Sequence, residues 1–162
     1  MANRLSLVPG GAPAFGARYW DFSIDGTPLV RLLRRLEESW PTAGPLDAEH
    51  IPVLVHTWPT GMSPAVIVLL GEQPSELPNG RAPLYVCPQC GDLGCGALTA
   101  EVARTDDAVT WRDFGWDVAD ALDEEPVRLA GGPFVFAREQ YDAELRRFVE
   151  TFDAVRASSV LD

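Results

Sequence analysis

The chain has 162 residues, 46% of them hydrophobic and 23% charged, which gives room for one ordinary domain and excludes a disordered or collagenous class. Its formal net charge of −11 argues against a nucleic-acid backbone or an anionic membrane as the main partner, since both are bound by clustered Lys and Arg. A basic protein partner fits that charge better, and no stretch reaches the ~20 apolar residues of a membrane-spanning helix.

Residues 1–16, MANRLSLVPGGAPAFG, are rich in Pro, Gly and Ala and aperiodic. They predict a mobile arm, with a single domain over 17–162. The arm carries no apolar run of the kind that forms a secretion signal, so a cytoplasmic protein is expected. From Ala17 onward Trp20, Phe22 and Ile24 alternate with Tyr19, Asp21 and Ser23, the period of a half-buried strand, and Asp25-Gly26 closes it with a turn. Thr27 and Pro28 then read as the N-cap and first position of a helix of about three turns. Its apolar stripe is Leu29, Leu32, Leu33, Leu36 and Trp40, and Pro41 stops it.

After a loop, Ile51 to Val55 is a short apolar run confined by Pro52 to a sheet edge or strand start. Ser63-Pro64 followed by AVIVLL and Gly71 predicts a short helix. Leu84 to Val86 enters a strand. Leu98–Arg104 and Ala108–Phe114, separated by Thr105-Asp106-Asp107, predict a hairpin. Gly131-Gly132-Pro133 precedes a PFVF strand. From Arg138 to Arg156 the stripe Tyr141, Leu145, Phe148, Val149, Phe152 and Val155 predicts the final helix. No alternating strand-helix series appears. The expected class is α+β: a mainly antiparallel sheet with two or three helices on one face and a cysteine-rich loop between two strands.

That loop, LYVCPQCGDLGCG over 84–96, holds all three cysteines, Cys87, Cys90 and Cys95. Two thiolates two residues apart can share one ion, and the glycine after the second permits a tight turn whose amides donate to sulfur, as in zinc knuckles. A closed zinc site takes four ligands, and no second C-x-x-C exists. His50 and His56 are the two histidines; an extended 51–55 holds them about 20 Å apart at ~3.3 Å per residue, so one site could use only one. His56, at the strand end beside Thr57 and Trp58, is the better candidate; Asp92 is the alternative donor. The expected metal set is therefore Cys87, Cys90, Cys95 and His56. The competing readings are three reduced cysteines packed as small apolar groups, or a thiol-dependent oxidoreductase using Cys87 and Cys90, with Cys95 as a resolving thiol.

Two further clusters are weaker. Asp113, Asp117, Asp120 and Glu124 suggest paired carboxylates or a hard-cation site, against the simpler reading of a solvated acidic face. Trp111, Phe114 and Trp116 beside them suggest an aromatic patch that docks a basic protein, against the simpler reading that Trp111 faces the core.

The runs LYVCPQCGDLGCGALTAEV, VTWRDFGW and GPFVFAREQYDAELRRF, with DGTPLVRLL earlier, resemble a group of small uncharacterised bacterial proteins. These share a C-P-x-C-G-D-x-G-C-G loop, a V-x-W-x-D-F strand and a G-P-F-x-F entry to the last helix. The resemblance spans roughly Ala17 to Phe148. Some of that group carry an automatic oxidoreductase label, and the likeness implies that Cys87, Cys90, Cys95, Asp92, Trp111, Asp113 and Phe114 act as one set. The sequence thus predicts a small acidic accessory or protein-binding module whose cysteine loop is a zinc candidate.

Overall fold

A computed structural model describes residues 2–35, 50–75, 77, 80–86, 96–117 and 127–160. The fold is α+β with mostly antiparallel pairing. Strand β1 (Leu5–Ala12) turns through Pro13–Phe15 into β2 (Ala17–Ile24) and β3 (Thr27–Pro28). Next come α1 (Leu29–Leu32), β4 (Arg34–Arg35), β5 (Ile51–Pro52) and α2 (Ala65–Leu69). They are followed by β6 (Ala82–Val86), β7 (Ala97–Arg104), β8 (Ala108–Asp117), β9 (Val127–Ala130), β10 (Phe134–Ala137) and α3 (Arg138–Val160).

The pairings close on themselves. β1 pairs with β2, and β2 meets the segment after β5 through Trp20 N–H to Leu54 O (3.0 Å), His56 N–H to Arg18 O (2.8 Å) and a Tyr19–Val55 bridge. β5 pairs with β6, β6 with β7, β7 with β8, and β8 with β10. The circuit returns to the N-terminus where Asn3 bridges Phe136, with its N–H on Val135 O at 2.6 Å. Beyond that point β1 and β10 part, and α3 stands beside β1. Gln140 accepts from Leu5 N–H (3.0 Å) and donates to Leu5 O (2.6 Å), Glu144 accepts from Leu7 N–H (2.9 Å), and Arg147 donates to Leu7 O (3.2 Å). These side chains, spaced along one helix flank, occupy the outer edge of β1 that would otherwise invite another strand. Burial would push the Glu144 carboxyl up, but the bonds from Arg147 and Leu7 outweigh it and hold the carboxyl below its usual range. Gln140→Ala removes both partners of Leu5; an expected loss of about 1–2 kcal/mol is read from the urea midpoint.

The predicted N-terminal arm is mostly strand: Leu5 and Leu7 are buried in the core. Their alternation was hidden by the Pro-Gly-Gly run that follows. The three-turn helix after Asp25 is also corrected. Thr27 and Pro28 pair with Ile24 and Ser23, so the N-cap position falls on Pro28 rather than Thr27; α1 ends at Leu32, and Leu33 is extended (φ −103°, ψ 143°). Arg34 and Arg35 then pair with Ala130 and Leu129 of β9, a strand that sequence reading missed. A tertiary partner nearly a hundred residues away outweighs helix propensity here. Gly131 makes the crossing fit, because a Cβ there would lie 2.7 Å from Leu33 Cδ2 and 2.8 Å from Leu32 O. Residues 36–41 of the expected helix, Trp40 among them, lie outside the described residues.

The short α2, the 97–117 hairpin, the β10 strand and the long α3 stand as the sequence predicts. Their core joins Trp20, Phe22, Trp111, Phe136, Tyr141 and Phe148, all buried. Trp111 donates its indole N–H to the Tyr141 hydroxyl (3.1 Å), which donates in turn to Leu69 O (2.8 Å) at the end of α2. That relay ties β8, α3 and α2 together through buried groups.

Candidate functional site

The strands fix where the cysteine segment leaves the fold. Val86 is the register partner of both Ile51 and Ala97, and Ala97 is that of Asp117. Cys87 follows Val86 in the chain, and Cys95 immediately precedes Gly96, so the segment begins and ends on adjacent strand ends. His50, one residue before Ile51, lies at the same end. Its ring meets Trp116 edge-on with centroids 4.9 Å apart. Gly96 also lies against Trp116: a Cβ there would fall 2.2 Å from the indole, and φ is +96°, so only glycine fits. Cys87, Cys90, Asp92 and Cys95 themselves lie outside the described residues, as do Asp120 and Glu124. Among the described residues, no three His, Cys, Asp or Glu side chains cluster in a metal-binding group.

His56 is placed elsewhere. It sits five residues beyond Ile51, where the chain has left β6 and pairs with β2. Its ring packs on Trp20 (5.3 Å, edge-on), Phe148 (4.7 Å) and Phe152 (5.7 Å, stacked) and is 1% exposed. Neither ring nitrogen has a hydrogen-bond partner. A neutral imidazole brings one donor and one acceptor, and leaving such a group buried and unsatisfied costs about 1–3 kcal/mol. Burial pushes the His56 pKa down to about 4, so the ring is neutral at physiological pH. His56 borders a cavity of about 370 Å³ between α3 and the β1–β2 hairpin, which Arg18, Trp20, Thr151, Ala154 and Val155 also line. Arg147 covers the Trp20 ring at 4.4 Å, a cation–π contact.

Of the carboxylate and aromatic clusters, Asp113, Trp111, Phe114 and Trp116 can be placed with their side chains. Asp113 lies at an irregularity in β8: Thr99 pairs with Gly115 and Glu101 with Arg112, which leaves Ala100 opposite both Asp113 and Phe114. Asp113 takes a left-handed φ of +52°, a conformation that Asp tolerates better than most residues. The buried Arg81 binds this bulge, donating to Thr99 Oγ1 (2.9 Å), to Thr99 O (3.2 Å) and to Asp113 O. No sequence pattern announced Arg81, since its acceptors are the Thr99 hydroxyl and two backbone carbonyls that meet it only at the bulge. Trp111 and Phe114 are fully buried, so they form no exposed docking patch; Trp116 is half-buried. A titratable pair joins β6 to β2, where the buried Tyr85 hydroxyl donates to Asp21 Oδ1 at 2.5 Å. Burial raises the pKa of both, further assisted at Tyr85 by the neighbouring carboxylate.

No protein family, curated protein or solved structure matches the chain. Among the described residues, no helix is long and apolar enough to cross a membrane.

Proposed function

We propose that the chain is a small acidic accessory protein of the cytoplasm whose Cys87, Cys90 and Cys95 hold a zinc ion, with His50 rather than His56 as the fourth donor, and that the braced segment docks a basic protein partner. The observation that carries this reading is the shared register of Ile51, Val86 and Ala97. It brings the attachment points of the cysteine segment to the strand end that His50 flanks. His56 is five residues farther along, about 16 Å at extended spacing, and is enclosed by Trp20, Phe148 and Phe152. Three thiolates and one neutral imidazole complete a tetrahedral zinc set without water. The partner's basic character follows from the −11 net charge, which favours encounter with positive surfaces.

Elemental analysis of the purified chain, with thiol titration before and after chelation, tests the reading. One zinc per chain and three thiols that react only after chelation are expected. His50→Ala should weaken zinc retention by more than the roughly 10–100-fold typical of outer-shell changes, and His56→Ala should leave it unchanged. Metal-free protein with three reactive thiols would overturn the zinc site. A reducible Cys87–Cys90 bond with a depressed thiol pKa would instead favour the thiol-dependent oxidoreductase.

A further inference from the structure

The outer edge of β1 is covered by α3 for only part of its length. Backbone groups of an antiparallel strand face one neighbour at every second residue and the opposite side at the others. In β1 the outward set is Leu5, Leu7, Pro9 and Gly11, because Leu5 and Leu7 bond to α3 rather than to β2. The helix flank that carries Gln140, Glu144 and Arg147 continues at the same three- and four-residue spacing through Thr151, Ala154 and Ser158. The first three side chains reach the strand; the next three are too short, and the Thr151 hydroxyl is turned onto its own helix, donating to Arg147 O at 2.6 Å. Pro9, Gly10 and Gly11 are accordingly exposed, and among the described residues nothing bonds to Pro9 O or to the Gly11 N–H. The cavity of about 370 Å³ lies in this gap, between Pro9 on the strand and Ala154 and Val155 on the helix, with the buried Trp20 among its walls. Pro9 points to the same face as Leu5 and Leu7, so a residue paired with Pro9 from outside would send its side chain into that cavity.

We propose that β1 accepts an extended segment of another protein, running antiparallel to it past Pro9 and Gly11. One N–H of the segment donates to Pro9 O, the Gly11 N–H donates to the segment's carbonyl two residues earlier, and one large apolar side chain fills the cavity against Trp20 and Val155. Main-chain pairing selects a strand, and the cavity selects its side chain. A second copy of this chain lacks that side chain, because the residues its own open edge turns inward are Pro9 and Gly11, and two chains of net charge −11 repel one another. The site lies at the His56 end of the 50–56 segment, whereas the cysteine segment departs at the His50 end, and it needs no metal.

Titration of the chain with a neutral peptide, acetyl-Ser-Thr-Phe-Thr-Ser-amide, followed by the backbone amide resonances, tests this. Having no charge, the peptide separates strand pairing from the long-range field of the chain. It should shift the Gly11 amide saturably and slow its hydrogen exchange, while the Leu5 and Leu7 amides keep their partners on α3. Replacing Phe by Ala should weaken binding about tenfold or more. N-methylation of the Phe nitrogen, which removes the donor to Pro9 O, should weaken it about tenfold. Thr151→Gln puts at the next position of the flank the side chain that caps Leu5, and should abolish binding with no loss of stability. A Gly11 amide unmoved up to the solubility limit of the peptide would overturn the proposal. So would equal affinity for the Ala or the N-methylated peptide, or unchanged binding in the folded Thr151→Gln variant. Protection of the Gly11 amide in the free chain at every concentration would put another part of this chain on the edge, and protection that rises with protein concentration would put a second copy there; either result also overturns it.

Discussion

Trp111→Ala is expected to lower the stability of the protein by about 3–5 kcal/mol, the range for emptying a buried aromatic site. For a domain of ordinary stability, roughly 5–15 kcal/mol, that is a large share of the total. Trp111 is fully buried and meets Phe22 (5.4 Å), Phe136 (5.2 Å) and Tyr141 (5.8 Å) edge-on, so strand, strand and helix all lose a neighbour at once. Trp111→Phe separates the contributions. It keeps an aromatic ring in the site and removes the indole N–H, so a smaller loss of about 1–2 kcal/mol is expected. Urea unfolding followed by far-UV circular dichroism reads both. Equal losses in the two variants would show that the hydrogen-bond relay to Tyr141 and Leu69, rather than ring volume, carries the stability.

The second large effect is set by pH. His56 titrates near 4 in the fold because burial disfavours its charged form, whereas the unfolded chain titrates near the ordinary 6.5. Above 6.5 both states are neutral and the group contributes no pH dependence. As the pH falls from 6.5 toward 4 the unfolded chain takes up the proton that the fold refuses, so stability declines across that window and levels off below it. At 1.36 kcal/mol for each unit of difference, the decline approaches about 3 kcal/mol. Because carboxylates also titrate there, the clean measurement is the difference between the native chain and His56→Phe. The variant is expected to be the more stable of the two at neutral pH, by about 1–3 kcal/mol, as two unsatisfied polar atoms leave the core. Its advantage should grow as the pH falls to about 4. A gap that stays constant with pH would mean that His56 accepts its proton without unfolding.

The elements that sequence reading found are those whose evidence is local. The 97–117 hairpin carries its own turn residues and β-branched runs, and α3 carries its stripe from Tyr141 to Val155 on a single helix face. The elements it missed depend on distant partners. Leu29 to Leu36 has a helical pattern by itself, but Arg34 and Arg35 are drawn into strand pairing by β9. The strand character of Leu5–Ala12 depends on β2 and on side chains of α3. The cysteines were legible as a motif from spacing alone, whereas the place of the two histidines relative to the ends of that segment required the register. His56 is nearer in sequence to the predicted strand end, and His50 is nearer to the paired ends from which the cysteine segment departs. Arg81 was invisible for a related reason, because its role exists only once β8 bulges at Asp113 and Phe114 opposite Ala100.

The seam between Asn3, β1 and α3 also sets an order of assembly. β1 leaves a ribosome well before the groups that cover its outer edge at Leu5 and Leu7, because Gln140, Glu144 and Arg147 are more than 130 residues behind it. During synthesis the β1–β2 hairpin can form before α3 exists, and that edge then remains open until α3 has been made. Contacts of such sequence separation slow folding, because loop closure precedes their reward. The nascent chain therefore carries an unprotected strand edge until α3 docks, and that interval is when it is most prone to pair with a neighbour.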